Sequence, residues 1–380
     1  MAALALIAAL YACTANGGSI YATIETEKKI NVSTLDQYLT IIDLANVPAA
    51  PLPYFVAAGA VYNGTVADAS NNIGWPTFGG TPGVVAPPVS GALCAALTYF
   101  NATLPANTGL YGGFFTSDGS VVGLYRSAAA SPSFSTAIAA MAGKQIALLA
   151  ADPNDPAKYL FASVANLGSG TTGFTYELDY SADGFASTTS VALTGQPKIT
   201  GVAYFPVNST YYVTSGSVLY AGLTPGSLSP TSIPNNGEQL QGATVDPVSN
   251  YILIPSNNGA VYYSQNGTAW ARASTSDQIN GYTVSLLNVS AQVGNNGPGP
   301  VYLVGADGLG FYTLNVQNNT LSRFSDVTVT GLYAGAVRRI LVDPIHNNLV
   351  FMGTAGTGLW RANFDPATGL VAPGSSWIHE

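Results

Sequence analysis

The chain has 380 residues, a net charge of −8, and only 8% charged residues, with 11 Lys+Arg against 19 Asp+Glu. Soluble proteins ordinarily carry about 25% charged residues, so Ser, Thr, Asn, Gly and Tyr must cover this surface. So few cations exclude an extended phosphate-binding surface, and with it a nucleic-acid partner, and disfavour anionic membranes.

In chain order, Ala2–Ala12 is apolar and uncharged. It is shorter than the roughly 20 residues a membrane span needs, so no transmembrane segment is expected. Small residues follow it, and residues 1–15 read as a signal peptide without its usual basic start. The alternatives are a lipoprotein box at Leu10–Cys13 and a structured first strand. Residues 16–30 form an N-terminal segment whose Ser19–Ile24 has strand composition and is expected to close the last repeat. Cys94 sits in an apolar run and reads as a small core residue; with the N-terminus retained it could pair with Cys13.

From residue 31 to 380 a pattern recurs: apolar strand, tight Gly/Asn/Ser turn, apolar strand. Its second strand starts near Tyr54, Tyr111, Tyr159, Tyr211, Tyr251, Val301 and Leu349, at spacings of 40 to 57 residues. A further strand precedes the anchor at 146–150, 199–205, 242–245, 284–289 and 337–342. Three of these end in Asp-Pro, at Asp152, Asp246 and Asp343, where proline stops the ladder and aspartate favours a turn. Helix is nearly absent, 134–142 being the best stretch. A repeat of about 40–50 residues with several strands per unit predicts an all-β fold, a single seven-bladed β-propeller with four-stranded antiparallel blades.

Tyr263-Ser-Gln-Asn-Gly-Thr-Ala-Trp270 resembles an Asp-box hairpin, with Asn266 where aspartate is usual and one residue fewer before the tryptophan. Tyr180–Phe185 and Thr116–Ser120 are weaker copies without the tryptophan. Over roughly residues 110–370 the chain is similar to the Asp-box, sortilin-like propeller superfamily, which includes sialidases, xyloglucanase-type glycosidases and an assembly-factor branch. Asn363–Leu370 also looks like a turn of lactonase-type propellers. The resemblance implies a fold; Asp-boxes are structural turns and carry no catalytic residue.

Candidate chemistry is sparse. Six arginines without an Arg-Ile-Pro motif do not make a sialidase triad. Glu177 and Asp179 lie on one face of one strand and are the sharpest acidic pair, although glycosidase carboxylates ordinarily face each other across a cleft. The default for them is an exposed strand face. With His346 and His379 the only histidines, no metal centre and no cofactor are expected; the alternative to a solvated turn at Asp152 or Asp155 is a calcium ion held by loop carbonyls and one of these carboxylates. Trp75, in a long irregular loop, is the best candidate for a surface contact, whereas Tyr262, Tyr263, Tyr302 and Trp360 read as core. Seven Asn-x-Ser/Thr sequons occur, a number near chance. Asn63, Asn208, Asn266 and Asn318 among them fall at turns that would tolerate a glycan.

The expectation is a secreted or cell-surface structural or interaction module, working through protein partners or self-assembly, with glycans as a further partner class. The alternatives are a propeller glycoside hydrolase, lyase or lactonase, and a lectin.

Overall fold

In the computed structural model the described residues are 40–47, 54–57, 59–63, 65–66, 73–74, 84–116, 118, 121–127, 133–167, 174–195, 197–296, 299–324, 335–343, 349–373 and 375–379. They form seven four-stranded antiparallel blades of a β-propeller, in chain order from the channel outwards within each blade, the outer edge of the last being shared by two short strands. Blade 4 is the type: inner strand Ile199–Phe205, second Thr210–Ser215, third Val218–Gly222 and outer Ser229–Thr231. The seven second strands begin at Tyr54, Gly109, Leu160, Thr210, Tyr251, Gly299 and Leu349, within two residues of the sequence anchors. Outer strands are short, as an edge that pairs on one side only allows.

The second strands are buried almost throughout, because each is covered on both faces by neighbouring blades. The apolar core is accordingly seven clusters, one at each junction between adjacent blades. At the last junction Ile41, Phe55 and Tyr62 of blade 1 pack with Phe351 and Leu359 of blade 7, which closes the ring.

One local expectation changes. Residues 134–142 form a two-residue strand, Thr136–Ala137, and a single 3-10 turn, Ala139–Met141, because Thr136 and Ala137 pair with blade 2's third strand, Val121–Ser127. In blade 7 the third strand, Leu359–Asp365, holds Leu370–Val371 at one end and Ile378–His379 at the other. The signal-peptide segment, Ser19–Ile24, Cys13 and Trp75 lie outside the described residues. Cys94 is free and fully buried at the junction of blades 1 and 2, its S–H directed to Ala96 O at 3.3 Å.

Candidate functional site

Antiparallel connectivity sends the inner-to-second loops and third-to-outer turns to one end of every blade, and the remaining connections to the other. The inner strands line the central channel between these faces. Six of the seven carry a β-bulge near their start, which breaks the strict alternation of side chains.

Side chains on these strands tie blade to blade. Thr200 Oγ1 donates to Leu240 O at 2.9 Å, Thr244 Oγ1 to Val289 O at 2.8 Å, and Asn288 Nδ2 to Val337 O at 2.8 Å. Asp43 accepts Leu97 N at 3.0 Å and Arg339 Nε at 2.8 Å, joining blade 1 to both neighbours. The channel encloses a cavity of about 390 Å³ reaching Asp152 and Asn154 at the loop end, and one of about 270 Å³ at the opposite mouth. The second is lined by Lys198, Arg338, Arg339, Asp307, Gln241 and Thr200, with apolar side chains such as Ile199 and Leu287 between them. Arg338 and Arg339 are adjacent in sequence, but their convergence with Lys198 was not legible there.

The acidic pair has a different setting. Glu177 and Asp179 lie on blade 3's third strand, Phe174–Ser181. Asp179 is fully buried; Lys144 Nζ lies 2.5 Å from it and 4.0 Å from Glu177, and Ser190 Oγ also donates to Asp179. The expected exposed face is thus half covered, because the outer strand and Lys144 close over Asp179. Neither carboxylate lines the channel cavities. Asp152 and Asp155 cap their own loop: Asp152 accepts Asn154 N and Tyr204 N, and Asp155 accepts Ala157 N, Tyr159 N and the Tyr211 hydroxyl at 2.7 Å. Burial pushes Asp152 up to about 6.

Tyr262 and Tyr302 are fully buried and Tyr263 nearly so, while Trp360 is partly exposed. The turn Ser264–Gly267 is held by Ser264 Oγ, which accepts the N–H groups of Asn266 and Gly267, and by Asn266 Oδ1, which accepts those of Thr268 and Ala269. Ser181 and Asp183 repeat this arrangement in blade 3. The preceding blade grips each turn: Asn208 Nδ2 donates to Tyr212 Oη at 2.9 Å and to Asn266 O at 3.0 Å, and Asn107 Nδ2 to Asp183 O at 2.5 Å. Of the other sequons, Asn318 is exposed at a blade 6 turn and Asn63 ends the third strand of blade 1 half-buried.

No protein-family model and no curated protein sequence matches the chain. Solved structures do, β-propellers among them. An ancestral GH74 enzyme aligns with a TM-score of 0.61 at 16% identity, over 91% of this chain and 47% of that one, so the chain spans about half of that enzyme. YCF48 bound to D1 peptide aligns at 0.55 and 12%, over 87% and 94% of the two chains. The WD40 β-propeller domain of Doa1 aligns at 0.59 and 10%, over 86% and 94%. These likenesses place the chain among β-propellers and define its class by fold.

Proposed function

We propose that this propeller is a secreted or cell-surface interaction module that works by contact, through the face carrying the inner-to-second loops and third-to-outer turns. The observation that carries this reading is the set of large aliphatic side chains exposed there. Leu104, Val207 and Val248 stand on the loops of blades 2, 4 and 5, and Leu223 and Leu370 beside the turns of blades 4 and 7, with Leu223 70% and Val248 79% exposed. Exposed apolar surface marks interaction sites; the opposite end exposes fewer aliphatic side chains, Val89 and Ile378, together with Phe174 and Tyr282. Among the fold neighbours, YCF48 is seen with a bound peptide. The shared hydrogen bonding of the Ser181–Gly184 and Ser264–Gly267 turns supports a place among Asp-box propellers. Glu177 and Asp179, engaged by Lys144 and away from the channel, do not favour the glycosidase alternative.

Purified protein should self-associate with rising concentration in analytical ultracentrifugation, almost independently of salt because few ion pairs are available to be screened. The double substitution Leu223→Asp with Val248→Asp should abolish association while leaving thermal melting unchanged. Asn266 and Asn318 lie on this same face, so glycans there should block the contact equally. Protein that stays monomeric, binds no partner and turns over a polysaccharide or lactone would overturn the reading.

A further inference from the structure

Three of the chain's eleven cations, Lys198, Arg338 and Arg339, converge on one cavity of about 270 Å³ at the channel mouth opposite the face of the inner-to-second loops. Lys198 precedes the inner strand of blade 4 and the two arginines lie on that of blade 7, so the charges come from blades three places apart in a ring of seven. In a regular strand consecutive side chains point to opposite faces. The bulge between Val337 and Arg339 removes that constraint, and both arginines line the mouth.

Arg339 is positioned: its Nε donates to Asp43 Oδ1, while Asp43 is itself fixed by the N–H groups of Leu44 and Leu97. Its two Nη groups make no hydrogen bond among the described residues, and Lys198 and Arg338, both exposed, form no ion pair there. Three cations facing two carboxylates, Asp43 and Asp307, leave one net positive charge. Between the charges the wall carries Ile42, Leu148, Ile199 and Leu287, together with the polar Thr200 and Gln241. The volume is near the lower end for ligand pockets, about 300 Å³.

We propose that this mouth binds a monocarboxylate carried on a short branched apolar body. The Arg339 fork, held at Nε, would take the carboxylate through its Nη donors. Arg338 and Lys198 would close on it from the rim, and the aliphatic wall would cover the body. A free organic acid and the C-terminal residue of a peptide offer the same chemistry. The site stands independently of the contact reading, because it occupies the other face.

The test is calorimetric titration of the full chain with N-acetyl-leucine, with its amide, with a short peptide ending in leucine, and with sulfate. The acid should bind about tenfold or more tightly than the amide, as loss of a charge-assisted hydrogen bond implies. Arg338→Gln and Lys198→Gln, both at exposed positions, should each weaken the acid severalfold with unchanged thermal melting. A peptide that binds more tightly than the acid assigns the ligand to a chain terminus; equal or weaker binding assigns it to a free acid. Equal binding of acid and amide, sulfate binding as tightly as the acid, or affinity unmoved by both substitutions would each overturn the proposal.

Discussion

Gly267→Ala tests whether blades are locked to one another through their turns. Gly267 has φ of +74°, and an added Cβ would lie within 3.0 Å of Tyr212 Oη and 2.5 Å from Asn208 Nδ2, both groups of blade 4. The left-handed backbone alone costs an alanine about 1 kcal/mol. Overpacking adds about 1–3 kcal/mol, and displacing the Asn208–Tyr212 and Asn208–Asn266 hydrogen bonds adds about 1 kcal/mol. The expected loss is about 3–5 kcal/mol, a large part of the roughly 5–15 kcal/mol that holds a typical fold. Gly281→Ala is the control: its φ is +84°, with nothing within 4 Å of the added carbon, so it should cost about 1 kcal/mol. Urea unfolding of the two variants, and of Gly267→Ala in a Tyr212→Phe background, separates backbone from contact. Equal losses for Gly267→Ala and Gly281→Ala, with no rescue by Tyr212→Phe, would refute the interblade clamp.

Three further expectations follow from buried polar groups. Asp152, pushed up to about 6 by burial from an ordinary 3.8, holds its proton more tightly folded than unfolded. Its stabilising contribution is therefore complete below its unfolded pKa and lost as pH rises through about 6. Asp152→Asn should gain stability relative to the parent chain between about pH 4 and 7, by up to about 3 kcal/mol, in denaturation curves across that range; a pH-independent difference would contradict this. Asp179→Asn leaves Lys144 without its close partner and should cost about 2–3 kcal/mol, whereas Glu177→Gln, at 4.0 Å and partly exposed, should cost below about 1 kcal/mol by chemical unfolding. In a Cys13→Ser background Cys94, its thiol pushed up by burial and by nearby Asp43, should react with a thiol reagent only on unfolding; fast labelling of native protein would contradict its core position.

The blade repeat was legible because a second strand buried on both faces must be continuously apolar. Tyr251–Pro255 and Leu349–Ala355 show this in sequence and structure alike. Inner strands were legible where they end in Asp-Pro, as at Gln145–Ala151 and Ala336–Val342, and Ile199–Phe205, without that turn, also falls where the sequence placed it. Outer strands such as Thr136–Ala137 were not, since a short edge needs no distinctive composition. The channel mouth was hidden for another reason. A bulge decides which way Arg338 points, and it leaves no mark on residue spacing. Nor does spacing reveal that Lys144, 35 residues away, closes over Asp179.

A chain with 8% charged residues must join seven blades largely without ion pairs, and its tyrosines do much of that work. The hydroxyl of Tyr211 donates to Asp155, Tyr302 to Asp246, Tyr262 to Glu238 and Tyr312 to Asp277, at 2.6–2.8 Å. The first two cross blade junctions; the last two tie a third strand to the segment entering its own blade or leaving the one before. Glu238 also pairs with Arg272 at 3.2 Å, but Asp155, Asp246 and Asp277 have no ion pair among the described residues; a charge-assisted bond is roughly twice as strong as a neutral one. Burial and the adjoining carboxylate both raise the phenol pKa of Tyr211, Tyr302 and Tyr312, so these donors keep their protons across the ordinary pH range. Acidic residues can therefore outnumber basic ones here without leaving buried charge uncompensated. The same economy explains why Lys198 and Arg338 can stand without an ion pair among the described residues at the channel mouth: the framework does not require them as counter-ions, and a ligand's carboxylate would meet them there.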